Sequence, residues 1–458
     1  MIKNNTKPHS HSTLEQSSVI IPLTTSEPDP ILPPTLQLMK KYDYVAESTT
    51  GLSDIQLPFE ELQEGVAKYG MLHTPGMPFE EYKEAMNREW IDVTDYDEEP
   101  EEITVDITET MNYDIYVETL KKLSRYDGVY LYQIGESTEG RDLYAIEIDM
   151  DEDRNNMVFM FTGQIHAREF AGGTFLVKMF ADLVQKAQTD KDTMNMLYRN
   201  KFVAVPIINV DGREALIKEP EKWKSSGQLW KAYTNGIDGN RNFPTLSWGQ
   251  VSKGNKLNYS VASKPGFSNY GGRYAGSNKE TKAMMKWLYH YTVVEQAECL
   301  IDMHQQGAEI YAGKGWGPKR QSHLSVELRD EILSILNAGK TERKYKVVKD
   351  EPKYGLTGRG ASITDYAFSI SAGGKFSPAM GFCVLPNGKK EVLLMQINDM
   401  DHAKFKIKAP NKTFKTITIE IGKGAKYLGN SEETRQLLAE EYWKYNFGVL
   451  MECLPLIN

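Results

Sequence analysis

Four short apolar runs, over residues 157–162, 202–208, 299–303 and 416–421, constrain this chain more than any other feature of its sequence. Each is apolar or β-branched enough for both of its faces to be covered, which is the pattern of a strand inside a sheet. Helical patterns lie between the runs, notably over 174–187 and 280–291. Strands separated by helices imply a largely parallel sheet with helices on both faces. Ahead of these runs, 113–123 reads as an amphipathic helix, and 129–134 and 143–148 alternate like paired strands around a turn at 136–141. The expected fold is α/β: an α/β/α sandwich around a largely parallel, mixed, doubly wound sheet, with an N-terminal extension.

The extension is expected over 1–105 and the compact domain over 110–455. Residues 1–35 are rich in Ser, Thr, Pro and Asn, a composition that buries little apolar surface. Short helical patterns follow, and an acidic stretch from Asp92 to Glu102 marks the boundary. At 458 residues, one large domain plus an appendage is the natural division, because single cores stop growing at roughly 250–300 residues. No apolar stretch approaches the roughly 18 residues of a membrane span. The formal charge of −9 lacks the Lys/Arg excess that neutralises phosphates, so nucleic acid is not expected as a partner. Cys299, Cys383 and Cys453 form neither a CxxC pair nor an even disulfide framework. The run Val19–Leu23 is too short for a signal-peptide core, so the expected location is the cytoplasm, or a compartment reached by a non-signal route.

In open α/β sheets ligands bind beyond the carboxyl ends of the strands. The polar residues that follow the four runs are therefore the candidates. After 157–162 come His166 and Glu169; after 202–208 comes Asn209-Val210-Asp211-Gly212; after 299–303 comes His304; and Glu420 lies near the end of 416–421. An imidazole and a carboxylate at i and i+3 in a strand-to-helix turn can face one ion, and a second His from another strand completes three ligands. Two His and one Glu with an open fourth position is a catalytic zinc arrangement, whereas structural zinc sites are closed by four ligands. One Zn²⁺ per chain is expected, held by His166, Glu169 and His304. His9 and His11 lie in the lead, His290 in a helical pattern, and His73, His323 and His402 lack partners at ligand spacing.

Taken in order, Glu139-Gly140-Arg141, His166-Ala167-Arg168-Glu169, Asn209-Val210-Asp211-Gly212, 236–243, Asp302-Met303-His304 and Thr418-Ile419-Glu420 resemble the zinc carboxypeptidase family of pancreatic type, including its bacterial members that cut peptidoglycan peptides. The resemblance implies a metallopeptidase that cleaves next to a free C-terminus, with Glu420 as general base and Asp238 orienting a ligand imidazole. It places Asn240 and Arg241 at the substrate's terminal carboxylate and Arg168 in contact with substrate. The family's oxyanion-stabilising arginine is matched by Lys231, with Asn235 as another slot. The capping tyrosine is matched by Tyr354, although Tyr366 competes for the role, and Thr364 falls at the floor of the side-chain pocket ahead of Asp365. The distance from Asp365 to Glu420 exceeds the pancreatic-type pattern, and an inserted hairpin or lid is expected over 376–388. The expected partner is a peptide or peptidoglycan-peptide substrate. A γ-D-glutamyl endopeptidase and a catalytically silent peptide-binding module stand as alternatives.

Overall fold

The structure, a computed structural model, describes residues 79–151, 156–225, 228–243, 270–272, 275–312, 323–338, 344–347, 361–371, 413–422 and 428–445, with short stretches at 74–75, 251–253, 256–258, 383–384, 390–391 and 426. Nine strands form one sheet among these residues: β1 (Ile91–Asp92), β2 (Val129–Glu136), β3 (Asp142–Ile148), β4 (Met157–Gly163), β5 (Asn200–Val205), β6 (Cys299–Gln305), β7 (Glu309–Ala312), β8 (Lys346–Val347) and β9 (Lys415–Ile421). Their order is β8-β7-β9-β6-β4-β5-β3-β2-β1. The centre, β9-β6-β4-β5, is parallel, and the sheet turns antiparallel at β7 on one side and β3 on the other. The four apolar runs are this parallel centre, and their side chains are buried because helices cover both faces.

The helices are α1 (Phe79–Asn87), α2 (Tyr113–Leu123), α3 (Phe170–Ala187), α4 (Lys191–Leu197), α5 (Val210–Lys218), α6 (Lys279–Tyr289), α7 (His323–Leu336), α8 (Ile363–Ser371) and α9 (Glu432–Tyr445). They pack in two groups, α2–α5 with α7 and α9, and α1 with α6 and α8. Both groups reach β6 and β9, so they lie on opposite faces of the sheet and make the α/β/α sandwich. In α2 the spacing of Tyr116, Leu120 and Leu123 puts three fully buried side chains on one stripe, each worth about 1.5–3 kcal/mol. Asn112 starts the helix by accepting the Ile115 N–H on its side chain.

Two boundaries differ from the expectation. The second apolar run leaves the ladder after Val205, because Pro206 has no N–H to donate, although Ile207 and Ile208 stay buried. Helix α3 begins four residues earlier than its periodicity indicates. Its first turn contains Gly172 and Gly173, which read as poor helix formers. A Cβ on Gly172 would stand 2.6 Å from the Met303 carbonyl oxygen, so the glycine is what lets the helix reach β6.

Residues 79–105 do not stand apart. Strand β1 pairs with β2, Lys282 on α6 bonds Glu81 on α1, and Met86, Ile103 and Val105 share the main core. Of the expected hairpin, Cys383–Val384 is described and pairs antiparallel with Lys390–Glu391; 376–382 and 385–388 lie outside the described residues, as does Tyr354.

Candidate metal centre

The turn between β4 and α3 carries His166 and Glu169, and β6 carries His304. All three are buried. Glu169 lies with one carboxylate oxygen 2.8 Å from His166 Nδ1 and the other 2.8 Å from His304 Nδ1, and the two Nδ1 atoms are 3.2 Å apart. Ligands about 2.0–2.2 Å from a tetrahedral zinc ion stand roughly 3.3 Å from one another, so the donor set closes on a single point of the right size. The far side of each ring fits the same reading. His166 Nε2 faces Asp238 Oδ1 at 3.2 Å, and His304 Nε2 faces Asp302 Oδ2 at 2.7 Å. A carboxylate that accepts a hydrogen bond from Nε2–H leaves the Nδ1 lone pair to an ion, which is how metal-binding imidazoles are usually fixed.

The electrostatics follow from this crowding. Burial alone would push the Glu169 carboxyl up, but the two imidazoles override it and hold it well below the ordinary carboxylate range. Asp238 behaves likewise, its burial outweighed by Lys231, His166 and Arg241. Burial would lower the His304 imidazole, yet Asp302 and Glu169 drive it well above the ordinary histidine value. That proton and a metal ion compete for one donor set, so metal affinity should weaken as the pH is lowered.

A cavity of about 250 Å³ opens over the three donors. Arg168, Lys231, Asn240, Arg241, Thr364 and Glu420 all line it, as do the donors themselves. Asp238 lies beneath, salt-bridged to Lys231 at 2.8 Å and accepting the Asn240 backbone N–H. Burial lowers the Lys231 ammonium, Asp238 opposes that, and Arg241 adds to it. Asn235 does not reach the cavity; it donates to Asn278 at 2.7 Å, away from the donors. Tyr366 is fully buried and stacks on Phe243 in the core, which removes it from the cap position. Asn209 and Asp211 serve the backbone instead. Asn209 donates to the Ile165 and Ala232 carbonyls, and Asp211 holds Ser137, Arg141 and the Glu139 N–H at the hairpin turn.

Register explains the other half of the site. His304 is paired with Glu420, Glu420 with Glu309, and Glu309 with Lys346, so one row across four strands presents these side chains on one face. Two residues along, Thr162, Asp302, Thr418 and Tyr311 form a second row. The role of Asp302 was open to discovery from the sequence alone, since alternation puts residue 302 on the same face as His304. Thr162 completes it by donating to Asp302 at 2.8 Å. Tyr311, Gln306 and Ser362 also line the cavity, and no sequence signal marked them.

A family model described as zinc carboxypeptidase matches residues 116–376. Among curated proteins the chain is similar to carboxypeptidase B2 of Bos taurus, 26% identical over 215 residues that cover 46% of this chain and 48% of that one. Mast cell carboxypeptidase A of Homo sapiens is 28% identical, covering 44% and 46%. The chain thus spans about half the length of the curated relatives it matches. Among solved structures, thrombin activatable fibrinolysis inhibitor aligns with a TM-score of 0.54 at 17% identity, covering 82% of this chain and 80% of that one. Carboxypeptidase A from Helicoverpa armigera gives 0.51 at 16% identity, covering 78% and 76%.

Proposed function

The chain belongs to the zinc carboxypeptidase family, and from that membership we propose that it hydrolyses a peptide bond next to a free C-terminal carboxylate, with His166, Glu169 and His304 holding the zinc ion and Glu420 as general base. The observation that carries this reading is the meeting, over one cavity, of three converging donors, a carboxylate one strand away from His304, and the Arg241 guanidinium.

Zinc, when bound, supplies a Lewis acid that makes water acidic at neutral pH. The remaining steps belong to the chain. Glu420 takes the proton of the attacking water and passes it to the leaving amine, a role worth about 10²–10⁴-fold. Asn240 and Arg241 receive the terminal carboxylate, for which the planar guanidinium fork is shaped. Lys231, held by Asp238, faces the charge that develops on the scissile carbonyl. Asp238 and Asp302 keep the imidazoles in the tautomer that faces the ion. Arg168 contacts the substrate chain and Thr364 lies at the floor of the side-chain pocket; for Tyr354, outside the described residues, the family resemblance implies the capping role.

The test is zinc content together with hydrolysis of blocked dipeptides bearing free carboxyl ends, for the wild type, Glu420→Ala and Arg241→Ala. We expect one zinc per chain in all three, turnover reduced at least about 10²-fold in Glu420→Ala, and a raised KM in Arg241→Ala. Wild-type protein that binds zinc and turns over none of these, nor muropeptide stems, would establish the silent binding module instead. Muropeptide cleavage indifferent to Arg241 would establish the endopeptidase.

A further inference from the structure

Gln164 lies two residues before His166 with φ of +46°, in the left-handed region. A residue with a Cβ enters that region at about 1–2 kcal/mol. It is fully buried, and its side chain is engaged at both ends. The amide nitrogen donates to the Ala167 carbonyl at 3.1 Å, and the amide oxygen accepts from Arg213 Nη1 at 2.5 Å. Helix α3 is bare where the amide passes, since a Cβ on Gly173 would stand 2.9 Å from Gln164 Oε1.

Arg213 comes from α5 and is 2% exposed. Its other donors go to the Met111 carbonyl at 2.7 Å and Thr174 Oγ1 at 3.2 Å, and its guanidinium lies 4.3 Å above the Phe170 ring. Among the described residues these are neutral acceptors, and Arg213 makes no salt bridge. Burial pushes the guanidinium down to about 10, with Glu214 and Tyr116 opposing, so it is still charged at neutral pH. A buried cation without a carboxylate and a left-handed residue with a Cβ are both unfavourable. Here they bond to each other, and the groups they hold are the Ala167 carbonyl in the metal-bearing turn, Thr174 in α3, which follows that turn, and the Met111 carbonyl ahead of α2. The pair satisfies these acceptors directly beside the turn that carries His166 and Glu169.

We infer that Gln164 and Arg213 are a positioning pair for the metal centre: Arg213 fixes the Gln164 amide, and the amide fixes the Ala167 carbonyl, so that the short segment from Gln164 to Glu169 keeps His166 and Glu169 aimed at one point. The inference rests on reading those two residues as zinc ligands.

The experiment measures zinc affinity by chelator competition, and thermal stability of the metal-free protein, for the wild type, Gln164→Gly, Gln164→Ala, Arg213→Met and Gln164→Ala combined with Arg213→Met. Gln164→Gly relieves the backbone strain but takes an acceptor from buried Arg213, so we expect its metal-free stability to fall, and to fall less than that of Gln164→Ala, which keeps the strain. Its zinc affinity should still fall about 10–100-fold, as for outer partners of metal ligands elsewhere. The double variant should bind zinc no more weakly than the worse single one, because the two side chains act as a unit. A Gln164→Gly variant that binds zinc like the wild type overturns the pair, as does full additivity in the double variant. Wild-type protein that binds no zinc would overturn the ligand assignment as well, which separates the two failures.

Discussion

His166 and His304 offer the same kind of donor to the candidate metal centre from two different kinds of backbone. His304 sits within β6, whose neighbours on both sides are parallel strands, and its place follows from the ladder. His166 sits in a turn that has no ladder. Its backbone is held by a set of single bonds: Ala167 N–H to the Lys231 carbonyl at 2.9 Å, the Asn209 side chain to the Ile165 carbonyl, and Gly429 N–H to the Arg168 carbonyl at 2.7 Å. The contrast teaches that one half of the centre is set by a strand ladder, whereas the other depends on single bonds from several distant segments. Each of those bonds is worth about 1 kcal/mol net, and each can be lost singly.

Removing either imidazole should have the largest effect. With His166→Ala or His304→Ala the remaining donors no longer define a tetrahedral site, and zinc loss should exceed the roughly 100-fold that an outer partner commands. Stoichiometric zinc in either variant, measured after dialysis, would break the comparison at its root. The next effect down separates the two walls. Asp302→Asn and Asp238→Asn should each weaken zinc about 10–100-fold, but Asp238 also pairs with Lys231, half-buried at the cavity wall, at 2.8 Å. Both carboxylates support a cation in the metal-free protein, but an imidazolium can shed its proton whereas the Lys231 ammonium cannot do so as easily, so Asp238→Asn should lower the metal-free melting temperature more than Asp302→Asn does. Equal melting temperatures for the two variants would show that the loop wall is no more fragile than the ladder.

The smallest effect on the metal concerns the outer support of the loop wall. Asn235, from the loop that carries Asp238 and Arg241, bonds Asn278 at the start of α6, and Glu280 beside it accepts from the Thr138 N–H at 2.7 Å. Burial is the first cause that raises the Glu280 carboxyl, to about 7, and nearby Asp211 adds to it while the Thr138 bonds oppose. Its folded value is therefore above its unfolded value of 4.5. The folded state holds the extra proton between pH 4.5 and about 7, so stability is lost as pH rises through that window, by up to about 3 kcal/mol. Urea midpoints across it should decline in the wild type and flatten in Glu280→Gln, with zinc stoichiometry at fixed pH unchanged in both. Identical slopes would remove Glu280 from the account.

The ladder half was the legible half. Apolar runs announce buried strands, alternation announces which residues share a face, and His304 and Glu420 fell where the rule of strand ends puts them. The left-handed backbone at Gln164 was not legible, because nothing local favours it and its side chain is bonded to Arg213, 49 positions away. The choice between Lys231 and Asn235 was closed to sequence as well, since both belong to one loop and only the packing of that loop against α6 turns Asn235 outward. Asp302 stood between these cases, visible to the alternation rule once His304 was taken as a ligand.

One consequence of the cross-strand row concerns the freedom of this chain to change. Glu420 returns 55 positions after Asp365, yet β9 docks between β6 and β7 and sets it beside His304 at the fixed spacing of neighbouring strands, about 4.8 Å. The separation of ligand and base is thus independent of how much chain lies in between. A longer or shorter connection ahead of β9 would leave the pairing of His304 with Glu420 unchanged.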